Sequence, residues 1–257
     1  MIIQFIGCGN MGEIILNKVI SQGMSVKNIY VKTKTQESEE KITHTYGVNI
    51  GLNSDADIVF LAIKPQQFLE MNDFIFPKNS LIISIMAGVT IDNINKKWSN
   101  KNIIRCMPNT AISNGNGVVG YFFSSNIEEK KMKFFINIFS KFGYILKLDN
   151  EDKINKITAL SGSGPAYFYF LTQLLKQKAL KFGFSEIEAV SIANNTFIGS
   201  AKLLENSSLS VEDLRKQITS KGGTTQKAIE SFENNGFIDN FFDGIEKAYD
   251  RAKDLNG

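Results

Sequence analysis

Short, nearly continuous apolar runs mark the first part of the chain. Ile2-Ile3-Gln4-Phe5-Ile6 reads as a buried strand, and Ile29 to Val31, Ile58 to Ile63, Leu81 to Ile85 and Ile103 to Cys106 repeat the pattern. Runs rich in Val, Ile and Leu are what a parallel sheet covered on both faces requires. After the first run, Ile14, Ile15, Val19 and Ile20 recur at helical spacing and stop at Gly23, as an amphipathic helix does. This alternation of strand and helix predicts a doubly wound α/β domain of Rossmann type over residues 1–150.

After about Leu148 no segment alternates with period two, and residues 151–257 read as an all-helical second domain. Ser210-Val211-Glu212-Asp213 has the form of a helix N-cap followed by acidic first-turn residues. The segment Ala166 to Leu175 is apolar nearly all round, so it is expected to be buried on every side. About a hundred residues of helix would struggle to cover it alone. A second subunit is the expected cover, with packing against the first domain as the alternative.

That same region poses the membrane question, because Ile157 to Leu175 contains no charged residue and is long enough to span a bilayer. Ser161-Gly162-Ser163-Gly164-Pro165 interrupts it, however, so a buried helix and no membrane association are expected. The net charge of +3 is slight and the basic residues are scattered, which excludes a nucleic-acid footprint. Cys8 and Cys106 form no disulfide framework, and reduced thiols suit a cytoplasmic protein. The first apolar run is too short for a signal peptide and lacks a basic flank. No metal site is expected.

Gly7-Cys8-Gly9-Asn10-Met11-Gly12 stands between a strand and a helix, the context in which this spacing binds a dinucleotide. The first glycine permits the tight turn, the second lets backbone approach the pyrophosphate, and the third lets helix lie on sheet. The helix then offers its unpaired N–H groups to phosphate. An NAD enzyme places Asp or Glu at the end of the second strand to hold the ribose 2′-hydroxyl. This chain reads Lys32-Thr33-Lys34-Thr35 there, which favours the 2′-phosphate of NADPH and makes NADH the weaker cofactor. The bland alternative is that Lys32 and Lys34 are ordinary solvated lysines.

Ser220-Lys221-Gly222-Gly223-Thr224-Thr225, near the other end, is a glycine-loosened turn carrying hydroxyls. Its backbone N–H groups suit a small carboxylate without any cationic side chain. Thr224 also precedes an amphipathic run, so the turn reads equally as a helix start, and a helix start is itself an anion site.

With these segments together the chain resembles the pyrroline-5-carboxylate reductases over nearly its whole length. The likeness is carried by Ile6 to Met11, Ala56 to Gln66, Ser84 to Ile91, Arg105 to Thr110, Leu160 to Tyr167 and Thr219 to Thr225. It implies NADPH-dependent reduction of L-1-pyrroline-5-carboxylate to L-proline, the last step of proline biosynthesis. Ile6, Gly7, Cys8, Gly9, Asn10, Met11, Lys32, Thr33, Lys34, Thr35, Asn53, Ala62, Ile63, Lys64, Pro65, Ile85, Met86 and Ala87 would then line the cofactor site. Glu151, Ser220, Gly223, Thr224 and Thr225 would meet the substrate, with Thr225 as the catalytic group. The implied assembly is an interlocked homodimer, often built into larger rings, each active site using helices of both chains.

The chain departs from the family pattern in three places. Lys221 replaces a usual proline, Gln217 a usual asparagine, and the stretch from Asn53 to Asp57 lacks a small helix before its strand. Glu151 reads alternatively as a helix N-terminal acid, Met107 to Thr110 as a plain turn, and Ser161 to Pro165 as a helix start. Cys8 could be a thiol activated by a helix N-terminus or simply a small turn residue.

The acid–base inventory fits imine reduction. A ketone needs a proton donor as it becomes an alkoxide, whereas an imine nitrogen can be protonated before hydride arrives. The chain's one histidine, His44, lies in a polar run that reads as surface. A β-hydroxyacid dehydrogenase, the competing enzyme reading, needs a lysine one turn into the helix at Ala166 to Leu171, and the first lysine after it is Lys176. A non-catalytic NADPH-binding protein is the reading from outside the enzymes.

Overall fold

A computed structural model describes residues 1–71, 76–123 and 127–255. Its sheet has eight strands: β1 (Ile3–Ile6), β2 (Ile29–Lys32), β3 (Asn49–Ile50), β4 (Ile58–Leu61), β5 (Leu81–Ser84), β6 (Ile103–Pro108), β7 (Gly117–Phe122) and β8 (Gly143–Lys147). Their spatial order is β3-β2-β1-β4-β5-β6-β7-β8, and only the β6–β7 pair is antiparallel. The chain runs outward from β1 to β3 and then returns to β4 on the other side of β1. That reversal opens the crevice in which doubly wound sheets bind ligands.

Helices α1 (Asn10–Ser21), α2 (Gln36–Tyr46), α3 (Pro65–Glu70), α4 (Ile91–Trp98) and α5 (Glu129–Phe139) cover the two faces. Ile3, Phe5, Ile58, Phe60, Leu81 and Ile83 pack with α1, α2 and α5. The intervening Ile6, Val59, Leu61 and Ile82 pack with Phe68 of α3 and with Ile91, Ile94 and Trp98 of α4. The period-two alternation of a strand is therefore intact, and both of its faces are apolar. Phe5 and Phe60 stack across neighbouring strands with ring centroids 4.6 Å apart. Gln4 is the buried polar exception in β1. Its Nε2 donates to Tyr30 O and Gly51 O, and its Oε1 accepts from Asn53 N at 2.8 Å, so it anchors the loop before β4.

The five strands expected from the sequence are present within two residues of their ends. Three more were not legible. β3 is a two-residue edge, β7 has its apolar run broken by Gly117 and Gly120, and β8 is a half-exposed edge strand. Those glycines carry a packing constraint. A Cβ on Gly120 would lie 2.9 Å from Ile157 Cγ2, and one on Gly117 would lie 2.6 Å from the backbone nitrogen of Ile112.

The chain divides into two compact units, residues 1–163 with 248–257, and residues 164–247. The first thus includes α6 (Asp152–Ile157) and a π-turn at Thr158–Gly162. It also holds the last residues of α11 (Phe237–Asp254), where Tyr249 donates to the Asp152 carboxylate at 3.0 Å. The second is helical: α7 (Gly164–Lys181), α8 (Glu186–Glu205), α9 (Val211–Gln217), α10 (Thr224–Asn234) and most of α11. Ser185 opens α8 through a reciprocal capping box with Glu188, and Ser210 caps α9 by accepting from Asp213 N at 3.1 Å. Among the described residues no helix is long and apolar enough to cross a membrane.

Gly143 opens β8 at φ +130°, where a Cβ would clash with the Gly117 carbonyl. Gly143→Ala is expected to lower the stability of this unit by about 3 kcal/mol, from backbone strain plus overpacking. A fall in the urea midpoint measures it, and an unchanged midpoint would contradict the tight β7–β8 start.

Candidate functional site

The turn after β1 is built by contact with the end of β4. Gly7 sits at φ +81°, and a Cβ there would be 2.5 Å from both Ala62 O and Ile63 Cγ2. Gly12 meets Ala62 Cβ at what would be 3.0 Å, which draws α1 onto the sheet. Among the described residues a Cβ on Gly9 would meet nothing within 4 Å, and no side chain caps α1. Open space beside uncapped first-turn N–H groups is a cradle that fits a pyrophosphate. Cys8 in this turn is not activated: burial, reinforced by Glu13, pushes its thiol up to about 12. The helix-terminus effect weighed from the sequence is outdone by desolvation.

A cleft of about 450 Å³ lies at the ends of β1, β2 and β4. Ile6, Gly7, Cys8, Gly9, Lys32, Thr33, Lys34, Ala62, Ile63 and Lys64 line it, as the sequence reading grouped them. Asn10 and Met11 begin α1, Thr35 is the N-cap of α2, and Pro65 is the first residue of α3. Ile85, Met86 and Ala87 follow β5, where Ile85 N donates to Leu61 O at 3.1 Å. Asn53 is engaged otherwise: its Oδ1 accepts from Asp55 N at 2.9 Å, and it is not part of the cleft wall.

Four lining residues escaped the sequence reading: Ser38, Gln67, Glu70 and Met71. Thr35 accepts from Ser38 N at 3.3 Å, so the polar run after β2 is a capped helix whose first turn faces the cleft. The capping residue Thr35 was the available signal. The strand end does have a carboxylate, because Glu39 reaches back to Lys32 Nζ at 2.9 Å and to Thr33 N at 3.0 Å. His44 is exposed on α2.

Glu151 lies at the N-cap of α6 with its Oε1 fully committed. It accepts from Arg105 Nη1 at 2.7 Å and from Ile91 N at 2.7 Å, tying β6 and the start of α4 to α6. Arg105 is 1% exposed. Burial lowers its pKa, the Glu151 carboxylate opposes that shift, and Nε and Nη2 have no hydrogen-bond partner among the described residues. One residue further along the same strand, Cys106 is held protonated by burial. At the strand's end Asn109 donates from Nδ2 to Ser161 Oγ at 3.2 Å, and Met107 packs near Gly162. Ser161 and Gly162 close the π-turn Thr158–Gly162, with Ser163 N bonded to Thr158 O, a geometry common at functional sites.

In the helical unit, Gly222 (φ +75°) and Gly223 lead into α10. Gly223 N closes the turn on Ser220 O at 3.0 Å, and a Cβ on Gly223 would be 2.5 Å from Ser220 Oγ. Gly222 N donates to Gln226 Oε1 at 2.6 Å. No side chain among the described residues caps α10, so Thr224 and Thr225 present first-turn N–H groups without intrahelical acceptors. Ser220, Lys221 and Thr224 are exposed and Thr225 is half-buried, while Gln217 is the exposed last residue of α9.

A family profile described as pyrroline-5-carboxylate reductase dimerisation matches residues 151–255. A second, described as NADP oxidoreductase coenzyme F420-dependent, matches residues 2–88. The pyrroline-5-carboxylate reductase of Staphylococcus aureus (strain COL) is 35% identical, with 98% of this chain and 97% of that protein aligned. The chain belongs to the pyrroline-5-carboxylate reductase family. Among solved members of the family, the enzyme from Coxiella burnetii superposes with a TM-score of 0.84 at 32% identity, covering 99% of this chain and 98% of that one. The 1-pyrroline-5-carboxylate reductase of Streptococcus pyogenes gives a TM-score of 0.86 at 25% identity, with coverage of 99% and 98%.

Within this reductase fold the Arg105–Glu151 pair separates a scaffold role from a ligand role. Glu151→Ala leaves a buried guanidinium uncompensated and is expected to cost roughly 3–5 kcal/mol. Urea unfolding checks it. An unchanged midpoint with only a raised KM would assign Glu151 to the substrate alone.

Proposed function

We propose that this chain reduces L-1-pyrroline-5-carboxylate to L-proline, an oxidoreductase acting on a CH–NH bond, with NADPH preferred and NADH weaker. The observation that carries it is the uncapped start of α10, where Ser220, Thr224 and Thr225 offer hydroxyl and N–H donors with no required cation. Such a start holds a carboxylate by dipole and hydrogen bonds. The phosphate-sized cradle at Gly9 supports the dinucleotide, and the Lys32–Thr35 turn supports a 2′-phosphate.

When bound, the reduced nicotinamide supplies the hydride. The chain's own residues bind and orient. The substrate carboxylate is held by Ser220 Oγ and the first-turn N–H groups of α10, where Gly223 leaves room for Ser220 beneath the turn. Thr225 Oγ1 hydrogen-bonds the ring nitrogen and fixes the ring plane. The iminium carries its proton already, so the C=N carbon accepts hydride, the electron pair moves to nitrogen, and the secondary amine forms without a protein acid. The dehydrogenase alternative loses its lysine: Lys176 is paired with Glu186 Oε1 at 2.5 Å.

The helical region from residue 151 onward is assigned to substrate binding and to assembly as a homodimer, with larger rings open to it. In the single chain the apolar α7 is uncovered, with Phe168, Tyr169 and Phe170 55%, 64% and 58% exposed. On α8, Ile187 is 81% exposed. Contiguous apolar surface of this kind marks an interface, and a second copy supplies the same helices in return.

Thr225→Ala keeps the backbone donors, so carboxylate binding survives while orientation suffers. kcat/KM is expected to fall roughly ten- to a thousand-fold. Thr225→Ser recovers most of the loss and the isosteric Thr225→Val does not. Kinetics at saturating NADPH test this, and wild-type behaviour from Val would remove the hydroxyl from catalysis.

Assembly is checked by light scattering on dilute protein, where a dimer or larger species is expected. A stable, active monomer would contradict the cover by a second copy.

A further inference from the structure

Taking the cofactor reading above as given, we infer that Glu39 withholds Lys32 from the cofactor and so limits the preference for NADPH over NADH. Glu39 lies in the first turn of α2, behind the cleft wall, and is 6% exposed. Its Oε1 takes both the Lys32 ammonium at 2.9 Å and the Thr33 N–H at 3.0 Å. The Lys32 side chain is 42% exposed and lines the cleft, whereas that of Glu39 is 7% exposed.

This asymmetry decides where Lys32 stays. A solvated lysine is free to swing to a phosphate, but a buried carboxylate stripped of its partner is strongly destabilised. Lys32 is therefore committed to Glu39, and an approaching 2′-phosphate meets a neutral pair instead of a cation. Lys34 is exposed, lines the same cleft and has no ion-pair partner among the described residues. Ser38, whose Oγ accepts from the Thr35 hydroxyl at 2.8 Å, lines the same cleft. The 2′-phosphate is thus left to Lys34, Ser38 and the start of α2, whose exposed Glu37 further weakens the pull. Glu39 acts as a positioning residue: it never touches the cofactor, and its effect passes through Lys32.

Two cofactors that differ only in the 2′-phosphate make the test specific. Kd for NADPH and for NADH is measured by nicotinamide fluorescence on the full-length protein, and their ratio is compared among variants. Glu39→Gln keeps an acceptor for Thr33 N–H while removing the charge. It is expected to raise the preference for NADPH about tenfold, the scale of one partly screened charge-assisted contact. Adding Lys32→Ala to it abolishes the gain. Lys34→Ala, at an exposed position, lowers the preference about tenfold and does not depend on how well the Glu39 variant folds.

A merely structural role for Glu39 would shift both cofactors together and leave the ratio alone. A ratio within twofold of wild type in Glu39→Gln, a gain that persists without Lys32, or no response to Lys34→Ala would each overturn the inference. Failure of the cofactor reading itself is seen earlier, as equal affinity of the wild-type protein for NADPH and NADH.

Discussion

The approach of the Gly7 turn to the end of β4 is the constraint on which the site depends. With a left-handed backbone at Gly7 and the Ala62 carbonyl in the space of its missing side chain, the chain leaves β1 through a turn that admits no side chain at this position. Gly12 then lets α1 settle on Ala62, and the helix start is aimed across the crevice between β1 and β4. The same geometry leaves Gly9 facing open space. The turn and the placement of α1 both rest on this close contact, and any side chain at Gly7 would disturb them.

Charge is used differently at the two ends of the chemistry. In the sheet-bearing unit, ionic groups are present but restrained, with Lys32 held by Glu39 and Arg105 by Glu151. At the start of α10 the donors are hydroxyls and first-turn N–H groups, a set able to bind an anion without a mobile cation. A cation beside the ring would oppose the positive iminium that accepts hydride, so neutral donors suit an electrophile that is already charged. Burial pushes the thiols of both Cys8 and Cys106 up from their ordinary range.

Sequence made the sheet legible where strands are buried on both faces, because there apolarity is continuous. β1, β4, β5 and β6 are of this kind, and β2 keeps its apolar Ile29 and Val31 on one buried face. It failed for β3 and β8 at the edges, where one side need not be apolar, and for β7, whose glycines are spaces for Ile112 and Ile157. The glycine turn and the hydroxyl-bearing turn were legible because each needs particular residue types. Glu39 was not, since its place at the strand end comes from the path of α2 and not from its position in the chain. Glu151 shows the same limit: its type and helix-start setting were readable, but its partners Arg105 and Ile91 are joined to it only by the fold. The apolar α7 was legible as a segment demanding cover, and its exposure in the single chain follows from that composition.

The central claim is that this scaffold reduces a cyclic imine that bears a carboxylate. The direct measurement is NADPH consumption by the purified protein with L-1-pyrroline-5-carboxylate, alongside proline quantified in the same samples. One proline formed per NADPH oxidised, with slower turnover on NADH, is the expected result. NADPH binding without proline formation would contradict the account and leave a dinucleotide-binding protein in place of an enzyme.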